Sequence, residues 1–398
     1  MKQLSGNLYY VGAENPDLRI FDIIIPADCG TTYNAYLLRG KKTALIETVQ
    51  DSFSEKLLEN IREICDISEI NYVICNHTEP DHSGALAEIL RANPDVTVYG
   101  SFAAIKNLKN ILNTEFKSVA ARNKTSLDLG GYTLEFISAP NLHWPDSMFT
   151  YCPELKTVFT CDFLGAHYCG CVTDEDIPDE NAYERELEKY NKYIFGPFGE
   201  AVKNGAEILR GLCPEMVCTS HGPVLKKGIN KVIDRYDRWA DPAVKPGKIS
   251  VFYVSAYGYT KAMAEALARG AEKAGADVSV YNIIETPADV LEEAVNTSSG
   301  YMFGSPTLNR DALPPVWTVM NMVSAVSCRG RNAFIFGSYG WSGEACGNLA
   351  ARAEGLGLKV FDEPAKICFK PSEEDLAALE KTGGEFAAAV GFATADIS

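Results

Sequence analysis

Five histidines occur in the 398-residue chain, and four of them fall into one ordered pattern with acidic residues. The first segment reads His77-Thr78-Glu79-Pro80-Asp81-His82. His143 follows in His143-Trp144-Pro145-Asp146, Asp162 in Thr160-Cys161-Asp162, and His221 in Ser220-His221-Gly222. Donors at i, i+2, i+4 and i+5 of a loop leaving a strand can be shared between two metal ions. His77 and Glu79 would face one ion, Asp81 and His82 the other. Asp162 has two carboxylate oxygens and can bridge, while His143 and His221 complete opposite ends. Three carboxylates against two divalent ions leave one positive charge, which a bridging hydroxide would neutralise; a hydroxide or oxo bridge is expected. A mixed imidazole and carboxylate set suits iron or manganese, which change oxidation state, whereas zinc does not. The fifth histidine, His167, lies five residues after Asp162. It reads equally as a ligand or as an outer-contact or structural residue, and near the open face it could donate a hydrogen bond to bound oxidant or product. A lone histidine is more often a plain polar or core residue than a ligand; four in this order with Asp162 weigh against that reading.

A second group of residues suits a flat ring bearing a terminal phosphate. Ser255-Ala256-Tyr257-Gly258-Tyr259-Thr260 sits between an expected strand and an expected helix. Hydroxyls of Ser255 and Thr260, with backbone N–H groups at the helix start, make an anion site, and Gly258 allows close approach. The loop lacks both G-x-x-x-x-G-K and G-x-G-x-x-G, which disfavours nucleoside triphosphates and dinucleotides. Two later loops also follow strands: Gly304-Ser305-Pro306-Thr307-Leu308-Asn309 and Gly337-Ser338-Tyr339-Gly340-Trp341-Ser342-Gly343. The first offers backbone amides and Asn309 to a polar ring, the second glycine-rich backbone and aromatics that pack on it. Any one of these is an ordinary strand-to-helix turn; three in order at strand ends are the pattern of an open-sheet binding crevice.

The elements that must hold these residues are of mixed α/β type. Tyr33–Leu38 and Thr43–Thr48 read as strands around the turn Arg39–Lys42, and Tyr72–Asn76 as a strand entering His77. Leu86–Leu90 reads as helix, and Ser126–Ser138 as a hairpin around Gly130-Gly131. Hairpins alternating with helices predict an αββα sandwich over residues 1–247. Pro242, Pro246 and Gly247 mark a linker across Ala240–Gly247. A parallel βαβ series then begins at Lys248, with strands near 248–254, 277–281, 300–303 and 333–337 and a helix over 261–274. This predicts a doubly wound parallel sheet over residues 248–398.

Composition narrows the class. Hydrophobic residues make up 46% and charged residues 23%, ordinary for a globular protein. A net charge of −16, without a Lys/Arg run longer than two residues, argues against nucleic acid as a partner. No apolar run is long enough for a membrane helix, and the first residues lack a signal-peptide pattern, so a cytoplasmic protein is expected. The twelve cysteines contain no C-x-x-C, only Cys169-Gly170-Cys171. Zinc ribbons, iron–sulfur clusters and a fused rubredoxin-type site are therefore not expected, and the thiols read as free.

The ligand order resembles that of the metallo-β-lactamase fold, with Glu79 where the hydrolases of that fold carry a second histidine. Taken with the loops at 255–260, 304–309 and 337–343, the whole chain resembles the flavodiiron proteins (A-type flavoproteins). The resemblance implies a metallo-β-lactamase-like domain with two irons, followed by a flavodoxin-like domain binding FMN. It implies reduction of dioxygen to water, of nitric oxide to nitrous oxide, or both. It implies a head-to-tail homodimer or dimer of dimers, with the FMN of one subunit facing the iron pair of the other. The electron donor would be a separate rubredoxin or a reduced deazaflavin. Tyr190 and Tyr193 lie where family members tend to carry two adjacent tyrosines; Asn191 breaks the pair, leaving substrate contact and helix packing as equal readings. Two other functions compete. A zinc-dependent hydrolase with an attached flavodoxin-like domain would contain two zincs and no redox activity. An electron carrier with a scaffold-only first domain would react with oxygen equally well without His82 or Asp162.

Overall fold

A computed structural model describes residues 1–241 and 244–392. They divide into two compact units, one ending at Asp241 and the other described from Val244. Among the described residues, no helix is long and apolar enough to cross a membrane.

The first unit contains two facing sheets. The seven strands of the larger run in sequence order: β1 (Lys2–Ser5), β2 (Leu8–Tyr10), β3 (Tyr36–Arg39), β4 (Thr43–Ile46), β5 (Ile70–Cys75), β6 (Thr97–Gly100) and β7 (Ser118–Ala120). Pairing is antiparallel from β1 to β4 and parallel from β4 to β7. The second sheet is β8 (Ser126–Asp128), β9 (Thr133–Ser138), β10 (Met148–Cys152), β11 (Thr157–Cys161) and β12 (Met216–Thr219), with only the β11–β12 pair parallel.

Side-chain alternation explains the layers. Tyr36, Leu38, Ala44, Ile46 and Ile74 join Phe136, Met148 and Phe159 in the core between the sheets. Their neighbours Leu37, Leu45 and Val73 point the other way, into a core with Leu57, Ile61, Leu86 and Leu108. Those four belong to helices α1 (Ser54–Arg62), α2 (Leu86–Ala92) and α3 (Phe102–Leu112). Phe149, Val158 and Val217 are covered in the same way by α4 (Glu180–Tyr190), α5 (Gly199–Leu212) and α6 (Ile229–Trp239). The αββα sandwich follows. Leu45 is fully buried, so Leu45→Ala would cost about 2–5 kcal/mol.

The second unit is a parallel sheet of β13 (Lys245–Tyr253), β14 (Asp277–Asn282), β15 (Ser298–Gly304), β16 (Asn332–Tyr339), β17 (Lys359–Val360) and β18 (Ala365–Cys368). Its order is β14-β13-β15-β16-β17, with β18 also paired to β16. That order reverses direction between β13 and β15, as in a doubly wound flavodoxin-like sheet. Helices α7 (Tyr259–Lys273), α8 (Ala288–Thr297), α9 (Pro314–Asn321), α10 (Glu344–Gly355) and α11 (Glu373–Phe392) accompany it. The backbones of α7 and α11 meet where Gly270 and Gly383 lie: a Cβ on Gly270 would fall on the Glu380 carbonyl oxygen, and one on Gly383 on that of Leu267.

The expected linker is shorter than the proline and glycine content implies. Lys245–Gly247 belong to β13, and Lys245 pairs with Ser298. Pairing with β14 starts only at Lys248, and the β15 register shifts between Lys245 and Ile249. Pro246, which has no N–H, and Gly247 at φ +73° are accommodated in that irregular stretch. The remainder of the predicted linker includes 242–243, outside the described residues.

Candidate metal centre and cofactor loops

The ligand loop hangs from the end of β5 and is tied to both sheets. The Asn76 N–H donates to Glu47 Oε1 at 2.9 Å, and the Asn76 carbonyl accepts from Met148 N–H at 2.9 Å. The backbone N–H and hydroxyl of Thr48 both donate to the His82 carbonyl, at 2.9 and 2.7 Å. A single helical turn, Pro80–Ser83, carries Asp81 and His82, with proline at a first-turn position where its missing N–H costs nothing. Asp162 follows β11 and His221 follows β12, so neighbouring strands deliver both to the same end of the sandwich.

These seven side chains form two pockets sharing Asp162. His77, Glu79, His143 and Asp162 present ligand atoms within 4.8 Å of one another, and so do Asp81, His82 and His221. In the first, Glu79 Oε2 is 3.2 Å from His77 Nε2 and 3.1 Å from His143 Nε2; Asp162 Oδ2 is 3.7 Å from each imidazole. In the second, His82 Nε2 is 3.3 Å from Asp81 Oδ1 and 3.1 Å from Asp162 Oδ1. His221 Nε2 is 3.0 Å from Asp81 Oδ2 and 3.6 Å from Asp162 Oδ1. Ligands about 2.1 Å from a common ion stand about 3.0–3.4 Å apart, close to these separations. Both oxygens of Asp81 and Nε2 of His82 are buried without a hydrogen bond, as fits atoms aimed at a cation. Every sequence-predicted ligand is therefore brought into this cluster.

Second contacts fix the imidazoles. His77 Nδ1–H donates to the Asp146 carboxylate, 3.2 Å from each oxygen. Asp146 is itself held by the Thr78 N–H and hydroxyl at 2.9 and 2.7 Å. His221 Nδ1–H donates to the Thr32 carbonyl at 2.6 Å. Both rings thus present Nε2 to the centre. Burial opposes charge on His77, but Asp146, Glu79 and Asp162 override it and raise its pKa to about 10. Burial pushes Glu79 up, yet the hydrogen bonds from His143 and His77 win and bring it to about 2. Asp162, against the same burial penalty, is held well below the usual range by His82, His77 and His143. Among these side chains alone, imidazolium and carboxylate charges compensate each other, and an arriving cation would displace the protons.

The remaining predicted residues separate. His167 is buried; its Nδ1 lies 3.0 Å from the Thr31 hydroxyl and its Nε2 has no partner among the described residues. Burial and His221 push its pKa well down, so the ring is neutral. Tyr190 is buried and donates to Asp162 Oδ1 at 2.8 Å. Tyr193 points away, 39% exposed, with Lys192 Nζ 5.5 Å from its ring centre. Tyr193 lies in a π-helical turn over Asn191–Phe195, whose extra residue per turn rotates it off the Tyr190 face.

Sequence reasoning missed Asp146 as the anchor of His77, although it stands three residues after His143. It also missed Thr31 and Thr32, and Phe21, whose ring centroid lies 4.3 Å from that of His167. Asp22, beside Phe21, has its pKa raised by partial burial and by Glu79 and Asp81, which places its carboxyl in the field of the pockets. Only the cluster of apolar residues Ile20, Phe21, Ile23 and Ile24 around Asp22 could have hinted at that segment.

In the second unit the three loops lie at the C-terminal ends of adjacent strands β13, β15 and β16. Gly258 has φ +83° and open space where a Cβ would stand. Ser255 Oγ is buried without a partner beside the start of α7, as fits a phosphate contact. Thr260 is fully buried, and its hydroxyl bonds Ser338 Oγ at 2.9 Å, tying the first loop to the third. The second loop is more ordered than a plain turn: Thr307–Leu308 pairs with Asp311–Ala312 around Asn309 and Arg310, both at positive φ. Tyr257 and Trp341 are 84% and 90% exposed, apolar faces available to a flat ring.

Two family models match the chain, an ODP family beta lactamase over residues 31–222 and a flavodoxin over residues 251–383. The flavo-diiron protein FprA2 of Clostridium acetobutylicum is 41% identical over 396 residues, 98% of this chain and 99% of its own length. The chain belongs to the flavo-diiron protein family. A nitric oxide reductase of Moorella thermoacetica is 32% identical, with 97% of this chain and 98% of the relative covered. Diflavin flavoprotein A 1 of Synechocystis is 33% identical over 96% of this chain, which spans 66% of that longer relative. Among solved structures, rubredoxin oxygen:oxidoreductase from Desulfovibrio gigas is similar over 99% of both chains, with a TM-score of 0.71 and 26% identity. The flavodiiron protein from Giardia intestinalis is similar over 98% of this chain and 97% of its own, with a TM-score of 0.68 and 28% identity. This flavo-diiron protein thus joins a metallo-β-lactamase-like unit to a flavodoxin-like one.

Proposed function

We propose that this protein is an FMN-dependent diiron oxidoreductase that reduces dioxygen to water, nitric oxide to nitrous oxide, or both. One observation carries the reading: Asp162 turns one oxygen toward each of two His/carboxylate pockets in a chain that also holds a flavodoxin-like sheet. His77, Glu79 and His143 would hold one iron and Asp81, His82 and His221 the other, with Asp162 offering one oxygen to each pocket. The loops at 255–260, 305–309 and 338–343 hold FMN. Two irons and FMN together store the electrons that dioxygen needs to become water without release of peroxide. Asp146 and Thr32 lock the imidazoles so that the donors do not reorganise. Phe21, His167 and Tyr190 wall the pockets against bulk water. Asp22 stands in the field of Glu79 and Asp81, where its carboxyl can relay protons toward the pockets.

A zinc hydrolase has no use for the second unit, and Glu79 sits in the ligand circle as a hard oxygen donor. The electron donor is a separate rubredoxin or a reduced deazaflavin. A head-to-tail homodimer, singly or paired, brings the FMN of one copy to the iron pair of another. The cytoplasm suits twelve unpaired cysteines. The test is anaerobic reduction followed by parallel titration with dioxygen and nitric oxide. Turnover that disappears in Asp162→Asn and His82→Asn supports the reading. Equal rates in the variants would leave the flavin as the only working centre and overturn it.

A further inference from the structure

The two metal pockets have matched donors: two imidazole Nε2 atoms, one carboxylate of their own and one oxygen of Asp162 each. They differ one layer out. Behind His77 stands the Asp146 carboxylate, an anion that makes the imidazole a stronger donor. Behind His221 stand the neutral Thr32 carbonyl and the Thr31 hydroxyl, at 2.6 and 3.3 Å from Nδ1. His82 Nδ1 is buried with no hydrogen-bond partner among the described residues, and the Glu47 carboxylate acts through space on His82 and His77 alike. The bridge is polarised in the same sense. Asp162 Oδ1, which faces His82 and His221, accepts the Tyr190 hydroxyl at 2.8 Å. Asp162 Oδ2, which faces His77 and His143, meets only the weak Cys161 thiol donor at 3.8 Å. A hydrogen bond to a ligand oxygen draws electron density away from the ion it serves.

We propose that Tyr190 and Asp146 are positioning residues that make the pockets electronically unequal, so that the Asp81–His82–His221 pocket is reduced first and loses its ion first. The proposal rests on the diiron reading. Two electrons from reduced FMN, which is oxidised and releases its protons to solvent, would take the pair from ferric–ferric through ferric–ferrous to ferrous–ferrous. The first enters the Asp81–His82–His221 pocket and the second enters the His77–Glu79–His143 pocket. Stronger donation at the latter favours the ferric charge and holds its potential down.

The experiment uses the full chain loaded with iron and FMN, with iron counted per chain. A potentiometric titration follows the one-electron state by electron paramagnetic resonance, and a chelator time course follows iron loss. The wild type should show two separated iron steps and one fast-leaving iron. Tyr190→Phe should lower the upper potential and slow the fast loss. Asp146→Asn, at saturating iron, should raise the lower potential. Both variants narrow the gap, but they move its midpoint in opposite directions, which general loosening of the fold would not do. An unchanged gap, or midpoints moving in the same direction, at two irons per chain would overturn the inference. A wild type that takes up no iron pair would overturn the diiron reading itself. If Asp146→Asn does not fold, Tyr190→Phe, which removes one internal hydroxyl, decides alone.

Discussion

The metal pockets and the flavin loops recognise their ligands by opposite means. The pockets use side-chain atoms that are buried and held by second contacts, as His77 is by Asp146 and His221 by Thr32. The loops use backbone at strand ends, with large faces such as Tyr257 and Trp341 left in solvent. A buried side-chain site fails when one atom is lost. A backbone site loses a fraction of its affinity with each side chain and fails only when the chain path changes. Removing residues from each unit in turn shows whether the contrast holds.

The largest effect falls on Asp162. Asp162→Ala should empty both pockets and lower turnover by more than the about 10–100-fold of an outer-contact change, while FMN stays bound. Metal analysis beside flavin absorbance checks this, and loss of flavin along with iron would break the contrast. Asp146→Asn leaves every ligand in place but removes the anion behind His77; a metal-binding titration should show about 10–100-fold weaker affinity.

Proton competition comes next. His77 sits at about 10 against 6.5 for a free histidine, so its proton must leave before an ion binds. Iron affinity of the metal-free protein should rise with pH toward about 10, by about tenfold per unit for each proton released. In that metal-free protein the raised His77 pKa stabilises the fold fully below about 6.5, and this contribution is lost as pH rises through about 10. Glu79, at about 2 against 4.5, contributes above about 4.5 and loses its share as pH falls through about 2. Metal binding and thermal melts across pH read both signs.

On the flavin side, Trp341→Ala should weaken FMN binding by about 0.5–1.5 kcal/mol, a several-fold change in Kd, with iron content untouched. Tyr193→Phe should change neither cofactor nor turnover, since its ring lies on the outer face.

The same contrast explains what could be read before the structure was known. Ligation restricts residue type, so His77, Glu79, Asp81, His82, His143, Asp162 and His221 were legible in order and spacing. Layer order was legible too, because hairpins alternate with helices; which face each of Tyr36, Leu37 and Leu38 takes was not, since all three are apolar. Asp146 was invisible as an anchor because its role depends on where the turn after His143 places it against β5. Thr31 and Thr32 meet His167 and His221 only through tertiary packing. Tyr190 and Tyr193 looked alike until a π-helical turn parted them. Pro246 and Gly247 mimic a linker because an irregular strand start needs the same residues as a loop.

Reductive titration of the iron- and flavin-loaded chain tests the central claim most directly, because it counts electrons irrespective of substrate. Two for FMN and one for each iron give an expected uptake of four electrons per chain, and one dioxygen should reoxidise the protein without free peroxide. Uptake of only the two flavin electrons, with zinc or no metal in the pockets, would contradict the account.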